Sequence, residues 1–320
     1  MKKSTKIWLV VAASLIIVGV TVSSVAMSAL DWDFKKLASS QFGTKTYEIN
    51  DDFSDISIDT DIDNIVFLPS EDGECKVVCD EYEKMNHTVE VENKTLVIKS
   101  RDERKWYEHI GISIENPKLT VYLPKTDYNS LLIKENTGFV ELPNDFEFET
   151  IDIKTTTGYV KTSASAKEKI KIETSTGLVK VNGVSAETLE ITVTTGMVNV
   201  QSVSCTGDIE INVSTGMTEM KNITCVNFES SGSTGDLSMT NVIAKESFSL
   251  ERSTGDIEFD GCDANEIFVT TDTGEVEGSL LTEKIFFVET DTGDVSVPKS
   301  TKGGKCEIKT DTGDIDIEID

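Results

Sequence analysis

Three Asp-Thr-Gly triplets near the C-terminal end of the chain are the residues that first suggest chemistry. They begin at Asp272, Asp291 and Asp311. The same triplet holds the catalytic carboxylate of aspartic proteases, in which two such carboxylates share one proton. In seven earlier Thr-Gly pairs the residue before Thr is not acidic, and these residues are Asn136, Thr156, Ser175, Thr194, Ser214, Ser233 and Ser253. A repeated turn therefore explains the triplets better than a protease site does.

Other catalytic groups are scarce. The chain has two histidines, His87 and His109, and both lie outside the region of the Thr-Gly pairs. No local motif places a Ser or Cys nucleophile beside either of them. The sequence therefore predicts that the protein is not an enzyme.

The Thr-Gly pairs belong to a regular repeat. Ten of them follow one another at steps of 19 or 20 residues, with their glycines at Gly138, Gly158, Gly177, Gly196, Gly216, Gly235, Gly255, Gly274, Gly293 and Gly313. A period this short is typical of a solenoid. Apolar and polar residues alternate on both sides of each Gly, as in Ile209-Glu-Ile211, and this period of two predicts strands.

Each repeat carries apolar residues at fixed distances from its Gly. The positions seven and five before it, and two, four and seven after it, are repeatedly apolar. We expect each coil to bury these side chains against its neighbours, with strands about 4.8 Å apart. The fold class is thus all-β: a parallel β-helix (solenoid) of about ten coils over residues 131–320. Residues 45–130, which have strand-like runs without the regular step, would form an irregular N-terminal β cap.

The last repeat ends on alternating acids from Asp314 to Asp320. We expect this tenth coil to form the open end of the solenoid. Acidic side chains beside a free strand edge discourage the addition of another strand; the alternative is that this edge binds a partner.

The first thirty residues differ from the rest. Lys2, Lys3 and Lys6 precede an uncharged run over residues 7–30, which exceeds the ~20 residues that cross a bilayer. The run predicts one transmembrane helix, with residues 1–6 as a cytoplasmic tail, residues 31–44 as a stalk, and the solenoid outside the cell membrane. The alternative is a cleaved signal peptide, for which Ser24 and Ala26 offer a cleavage site.

The net charge of −27 constrains the partners. Phosphate backbones repel such a surface, which argues against nucleic acid, whereas divalent cations, cationic polymers and cationic peptides are attracted to it. An envelope protein or cell-wall material remains as a partner.

Six cysteines leave the redox state open. Cys205 and Cys225 both follow their Gly by nine residues, so they should lie one coil apart, near the separation that a disulfide requires. Free thiols buried in the core are the alternative for all six.

The residue after each Gly should face outward, and its character changes halfway along the repeats. The first five are apolar: Phe139, Tyr159, Leu178, Met197 and Met217. The last five are acidic: Asp236, Asp256, Glu275, Asp294 and Asp314. An outward apolar ladder is either covered by another part of the chain, such as the cap or stalk, or is a ligand- or partner-binding stripe.

In the last three repeats the acids come in pairs on one turn edge. These are Asp272 with Glu275, Asp291 with Asp294, and Asp311 with Asp314. Six stacked carboxylates repel one another, and a hard cation such as Ca²⁺ would relieve the repulsion. Solvated surface charge without any cofactor is the alternative.

The Thr-Gly-acid-aliphatic repeat is preceded by Ile-Asp-Thr-Asp-Ile-Asp-Asn-Ile-Val-Phe-Leu-Pro-Ser at 58–70, Thr-Leu-Val-Ile at 95–98 and Leu-Thr-Val-Tyr-Leu-Pro at 119–124. Together these segments resemble the bacterial putative-adhesin family of β-strand-repeat envelope proteins, over residues 45–320. The resemblance implies a parallel β-helix displayed from a bacterial membrane, with no catalytic residues to transfer. The apolar residues after Gly in the first five repeats depart from the family's more typical acid.

We therefore expect a membrane-anchored, extracytoplasmic, adhesin-like binding or structural module. The alternative is an envelope stress or ligand-sensing subunit. Because so few residues precede the helix, such a sensor would have to signal through a membrane partner.

Overall fold

The structure is a computed structural model that describes residues 3–29, 31–32, 43–81, 84–103, 105 and 116–320. Over these residues the one helix is α1 (Lys3–Ala29). An 18-residue window within Thr5–Ala29 has a mean hydropathy of 2.4, so the helix is long and apolar enough to cross a membrane. Most of the predicted stalk lies outside the described residues.

The described residues of the N-terminal β region form seven strands. They are β1 (Gly43–Ile49), β2 (Asp55–Thr60), β3 (Asn64–Pro69), β4 (Cys75–Glu81), β5 (Met85–Glu92), β6 (Thr95–Asp102) and β7 (Lys118–Leu123). Antiparallel pairs join β1 to β4, β4 to β7, and β5 to β6. Parallel pairs join β6 to β2 and β7 to β3. The antiparallel strands close this end of the molecule, because they cover the outermost parallel layer.

The remaining strands form the regular part. They are β8 (Asp127–Leu142), β9 (Glu147–Thr162), β10 (Ser165–Asn182), β11 (Ser185–Ala186), β12 (Thr188–Cys205), β13 (Ile209–Thr234), β14 (Leu237–Thr254), β15 (Ile257–Cys262), β16 (Glu266–Thr273), β17 (Val276–Leu280), β18 (Lys284–Thr292), β19 (Val295–Ser296), β20 (Gly304–Thr312) and β21 (Ile315–Ile319). All of their pairings with one another are parallel. The predicted parallel β-solenoid is confirmed.

The apolar columns form the core as the sequence predicts. Ile151 pairs with Ile170, and Ile170 pairs with Leu189, and all three are buried. Phe228 and Phe248 continue this column and meet edge to face, with ring centroids 6.0 Å apart. The core is therefore one continuous stack of like side chains, which no single coil forms alone.

The ten repeat glycines line one edge, which we call the glycine spine. In the register of the sheet Gly138 lies beside Gly158, Gly177 beside Gly196, and Gly196 beside Gly216. A Cβ atom built on any spine glycine would lie 1.6 to 2.3 Å from a backbone carbonyl oxygen of the adjacent coil. The repeat keeps glycine here because the coils approach too closely for a side chain.

The spine begins before the first Thr-Gly pair. Strand β2 pairs with β8 through Ile56 and Leu131, and β3 pairs with β8 through Ile65 and Val140. Residues 55–69 thus form a parallel coil in the range predicted as an irregular cap. In this coil Asp63 occupies the spine position, since a Cβ on Gly138 would meet its carbonyl oxygen at 2.2 Å.

The order of the last three coils differs from the sequence. Ile267 of the eighth coil pairs with Cys306 of the tenth, and Phe286 of the ninth coil pairs with the same Cys306. The tenth coil therefore lies between the eighth and the ninth. The expectation that the acids of residues 314–320 form the open end is wrong. The ninth coil forms it, and Phe287 and Val295 are exposed there.

A pair of glycines permits this insertion. The chain enters the gap between the eighth and ninth coils at Gly303 and Gly304. A Cβ on Gly303 would lie 1.7 Å from the carbonyl oxygen of Glu283, and one on Gly304 would lie 1.6 Å from that of Asn265. Any larger residue would hold the two coils apart.

Candidate functional site

The structure stacks the five outward apolar residues into one stripe. Successive members are partners in the register of the sheet: Phe139 with Tyr159, Tyr159 with Leu178, Leu178 with Met197, and Met197 with Met217. We call these five residues the apolar stripe. With strands about 4.8 Å apart, four steps make it roughly 19 Å long.

None of the stripe residues is buried. Phe139, Tyr159 and Leu178 are half-buried, and Met197 and Met217 are each 39% exposed. The sequence left open whether another part of the chain covers the stripe. The described parts of the cap leave it accessible to solvent, and most of the predicted stalk lies outside the description.

In the last five repeats, the acidic residue that follows the Gly has a structural role. The backbone N–H of Asp256 donates to Asp236 Oδ1 at 3.0 Å, and that of Glu275 donates to Asp256 Oδ1 at 2.8 Å. The N–H of Asp294 donates to Asp314 Oδ1 at 2.8 Å. A short acceptor at this position satisfies an amide of the next coil, which explains the repeated Asp.

All six acids of the proposed calcium site are exposed. Because the tenth coil is inserted, Asp311 lies between Asp272 and Asp291. The six residues nevertheless form no cluster in which three carboxylates bring oxygen atoms within 4.8 Å of one another. Calcium binding at these acids stays a prediction.

All six cysteines are free and buried. Cys205 and Cys225 lie in neighbouring coils, in a column of small residues that also contains Ala186 and Ala244. Burial raises the pKa of both thiols to about 12. The sequence left open a disulfide between Cys205 and Cys225 or free thiols in the core, and the structure has free thiols.

A buried polar cluster, which the sequence analysis missed, lies beneath the cap. His87 and Asp63 have side chains with no exposure, and His87 Nε2 lies 3.1 Å from Asp63 Oδ2. His87 Nδ1 lies 3.6 Å from Glu81 Oε1, and it is buried without a hydrogen-bond partner. Tyr47 donates its hydroxyl to Glu81 Oε1 at 2.8 Å.

Cys79 completes this cluster. Among the residues that the structure describes, Cys79, Glu81 and His87 are the one set of three that brings potential metal-ligand atoms within 4.8 Å of one another. Burial is the largest cause that raises the pKa of the Cys79 thiol well above its usual range, with the charge of Glu81 acting in the same direction. The thiol is therefore protonated when no cation is near.

Glu135 lies on the other side of Asp63. Its carboxyl group accepts hydrogen bonds from the hydroxyl of Thr60, from the backbone N–H of Asp63 at 3.2 Å, and from that of Thr137 at 3.2 Å. Burial, the largest cause, raises the pKa of Glu135 to about 8, and the neighbouring Asp63 adds to the shift. Near neutral pH this carboxyl group is mostly protonated.

Sequence reasoning missed this cluster because its members come from distant elements. Asp63 lies in the turn after β2, Cys79 and Glu81 on β4, and His87 on β5. The available signal was the core pattern of residues 56–67, which matches the later repeats and places Asp63 in the glycine position.

The architecture agrees with a comparison of sequences. Residues 53–214 and 206–320 match the family described as Toastrack DUF4097. The chain belongs to the Toastrack DUF4097 family. The match covers both the N-terminal coil at residues 55–69 and the inserted tenth coil, so both are parts of the Toastrack region. No curated protein matches the sequence significantly.

Two solved bacterial structures have a similar chain path. A putative lipid binding protein from Parabacteroides distasonis is 14% identical, with 86% of this chain and 97% of that chain covered and a TM-score of 0.48. A putative adhesin from Bacteroides fragilis is 16% identical, with coverage of 88% and 99% and a TM-score of 0.45. At these identities and TM-scores, the descriptions apply to those proteins alone and not to this Toastrack chain.

Proposed function

We propose that this Toastrack protein is a non-catalytic, adhesin-like binding module, anchored in the bacterial cell membrane and displayed outside it. The observation that carries the proposal is the apolar stripe. The rod is otherwise strongly acidic, and exposing five aligned apolar side chains to water is unfavourable. Such an exposed apolar patch indicates a surface that binds another molecule.

The position of α1 supports the anchoring. Lysines precede the apolar run, and Asp31 and Asp33 follow it. Because positive charge is retained on the cytoplasmic side, this asymmetry favours an N-terminus inside and a solenoid outside. The solenoid would then present the stripe to other molecules of the cell envelope.

The chemistry of the stripe favours a protein partner. Tyr159 offers an aromatic face with a polar hydroxyl, and Met197 and Met217 are flexible and adapt to the surface opposite them. Paired charges flank the stripe, with Lys161 Nζ at 2.6 Å from Glu141 Oε1. An apolar centre with a polar rim is the usual composition of a protein interface.

The experiment is photo-crosslinking in intact cells that express the full chain. A benzophenone amino acid placed at Leu178 should capture a protein partner. The matched control is the same probe at Glu275, which occupies the same position after Gly in the acidic half and should capture nothing. Equal capture at both positions, or none at Leu178, would contradict the proposal.

The identity of the captured protein also tests a second function. The rival is an envelope stress or ligand-sensing subunit, which the single membrane-length helix favours because it places the rod beside other membrane proteins. A captured membrane protein with a cytoplasmic signalling domain would support the sensing function. A captured surface or cell-wall protein would support the adhesin-like function.

A further inference from the structure

The buried cluster beneath the cap has the composition of a metal site. A thiol, an imidazole and a carboxylate converge from two strands, and their ligand atoms lie within 4.8 Å of one another. Zn²⁺ is bound by this combination of sulfur, nitrogen and oxygen, whereas Ca²⁺ and Mg²⁺ prefer oxygen alone. We propose that Cys79, Glu81 and His87 bind one Zn²⁺ ion.

The orientation of His87 supports the proposal. One ring nitrogen, Nε2, lies 3.1 Å from Asp63 Oδ2. The other, Nδ1, lies 3.6 Å from Glu81 Oε1 and has no hydrogen-bond partner although the side chain is fully buried. A buried nitrogen without a partner is costly. Histidines that ligate zinc commonly donate their second N–H to a carboxylate in this way, which fixes the tautomer and the ring orientation.

The charges of the site are also suited to a divalent cation. Zn²⁺ would displace the thiol proton of Cys79, and the thiolate together with the Glu81 carboxylate would balance its two positive charges. His87 binds as the neutral imidazole. In a four-coordinate site, ligand atoms lie about 3 to 4 Å apart, so modest side-chain rotations bring the three groups to the ion.

The competing arrangement contains no metal. In it, the imidazole of His87 lies between the carboxylates of Asp63 and Glu81 without an ion. In that arrangement Cys79 has no role, and its replacement changes nothing beyond packing. The two arrangements therefore differ most sharply at Cys79.

The ion would tie the cap to the solenoid. Cys79 and Glu81 lie on β4 and His87 lies on β5, and the imidazole contacts Asp63 at the end of the glycine spine. Zinc would thus join the two antiparallel parts of the cap and hold them against the first coil. Its role would be structural, through stabilisation of the terminal layer.

The test uses the full chain in detergent, stripped of metal with a chelator and titrated with Zn²⁺. We expect one ion per chain and a higher Tm with zinc. With Co²⁺ in place of Zn²⁺, an absorption band from thiolate-to-metal charge transfer should appear. Measurements on the parent protein are enough to reject the proposal. Either the absence of saturable binding of one ion or a Co²⁺ complex without this band would do so.

Matched variants complete the test. Cys79→Ala should weaken zinc binding at least 100-fold, and Asp63→Asn should weaken it by about 10- to 100-fold. Cys75→Ala is the control, because Cys75 is a buried cysteine on the same strand and lies outside the cluster. Equal affinities in Cys79→Ala and Cys75→Ala, with both variants folded by circular dichroism, would overturn the assignment.

Discussion

The carbonyl oxygen of Gly196 lies 1.6 Å from the point where Gly216 would carry a Cβ atom. Gly216→Ala should therefore force two coils apart, in addition to straining a φ of +138°. We expect a loss of folding free energy well above the ~1 to 2 kcal/mol that left-handed strain costs. Chemical denaturation measures it.

The control for this substitution is Gly183→Ala. Gly183 has a φ of +69° and nothing within 4 Å of its Cβ position, so the variant should show the strain cost alone. Similar losses in the two variants would mean that close approach of the coils does not explain the glycine spine.

Two methionines distinguish the outward stripe from the core. Met197 is 39% exposed, whereas Met239 is fully buried. Met239→Ala should cost about 2 to 5 kcal/mol of folding free energy. Met197→Ala should change it by no more than about 0.5 kcal/mol. A large loss in Met197→Ala would show that the stripe packs within the molecule and not against a partner.

Glu135 should make stability depend on pH. Its pKa is raised to about 8 in the folded state, against about 4.3 for an unfolded chain. The folded state therefore binds the proton more tightly. The stabilisation is complete below about pH 4 and is lost as the pH rises through 8.

Glu135→Gln removes this titration. Relative to the parent, the variant should gain stability between pH 5 and 8, by an amount of the order of 3 kcal/mol. Urea denaturation at several pH values measures the difference, and Glu90→Gln, an exposed glutamate of the cap, is the control. A parallel pH dependence in parent and Glu135→Gln would contradict the raised pKa.

Calcium binding at the six C-terminal acids predicts a higher Tm in millimolar Ca²⁺, because a ligand that binds only the folded state stabilises it. Asp291→Asn combined with Asp311→Asn should abolish the rise, whereas Asp236→Asn should leave it. An unchanged Tm in the parent protein would mean that these six acids are solvated surface charges that bind no Ca²⁺.

The inserted tenth coil predicts a local defect in Gly304→Val. A Cβ at Gly304 would lie 1.6 Å from the carbonyl oxygen of Asn265, so the larger residue should block entry between the eighth and ninth coils. Hydrogen exchange should show lost protection in β18 and β20 and unchanged protection in β9 and β10. Uniform protection along the solenoid would contradict the inserted order.

The regular solenoid could be predicted because its signal is local and repeated. Eight of the ten Thr-Gly pairs have Val or Ile two residues after the Gly, so the repeats indicate the same column of side chains. Parallel in-register stacking follows because only that arrangement places like residues together. The Toastrack family and the all-β fold were therefore within reach of the sequence.

The two ends could not be predicted in the same way. The order of the coils depends on contacts between residues far apart in the chain, such as Phe286 with Cys306. Because the coils are similar in sequence, each of them could pair with any other, and the sequence does not indicate the order. The pair Gly303 and Gly304 was a visible sign of close backbone approach. The cluster around His87 could not be predicted from the repeat pattern of residues 56–67 alone, because it also depends on how β4 and β5 fold against the first coil.

The inserted coil also constrains the order in which the coils can pair during synthesis. A solenoid that is made from its N-terminus can add each new coil to the growing end as soon as that coil is complete. The ninth coil is an exception, because its final neighbour is made after it. Before residues 304–320 are made, the ninth coil either has no partner or pairs temporarily with the eighth coil. In the second case this pairing must break when the tenth coil inserts. The order of these three coils is thus fixed only after residues 304–320 have been made, and this segment then holds the ninth coil in its final position.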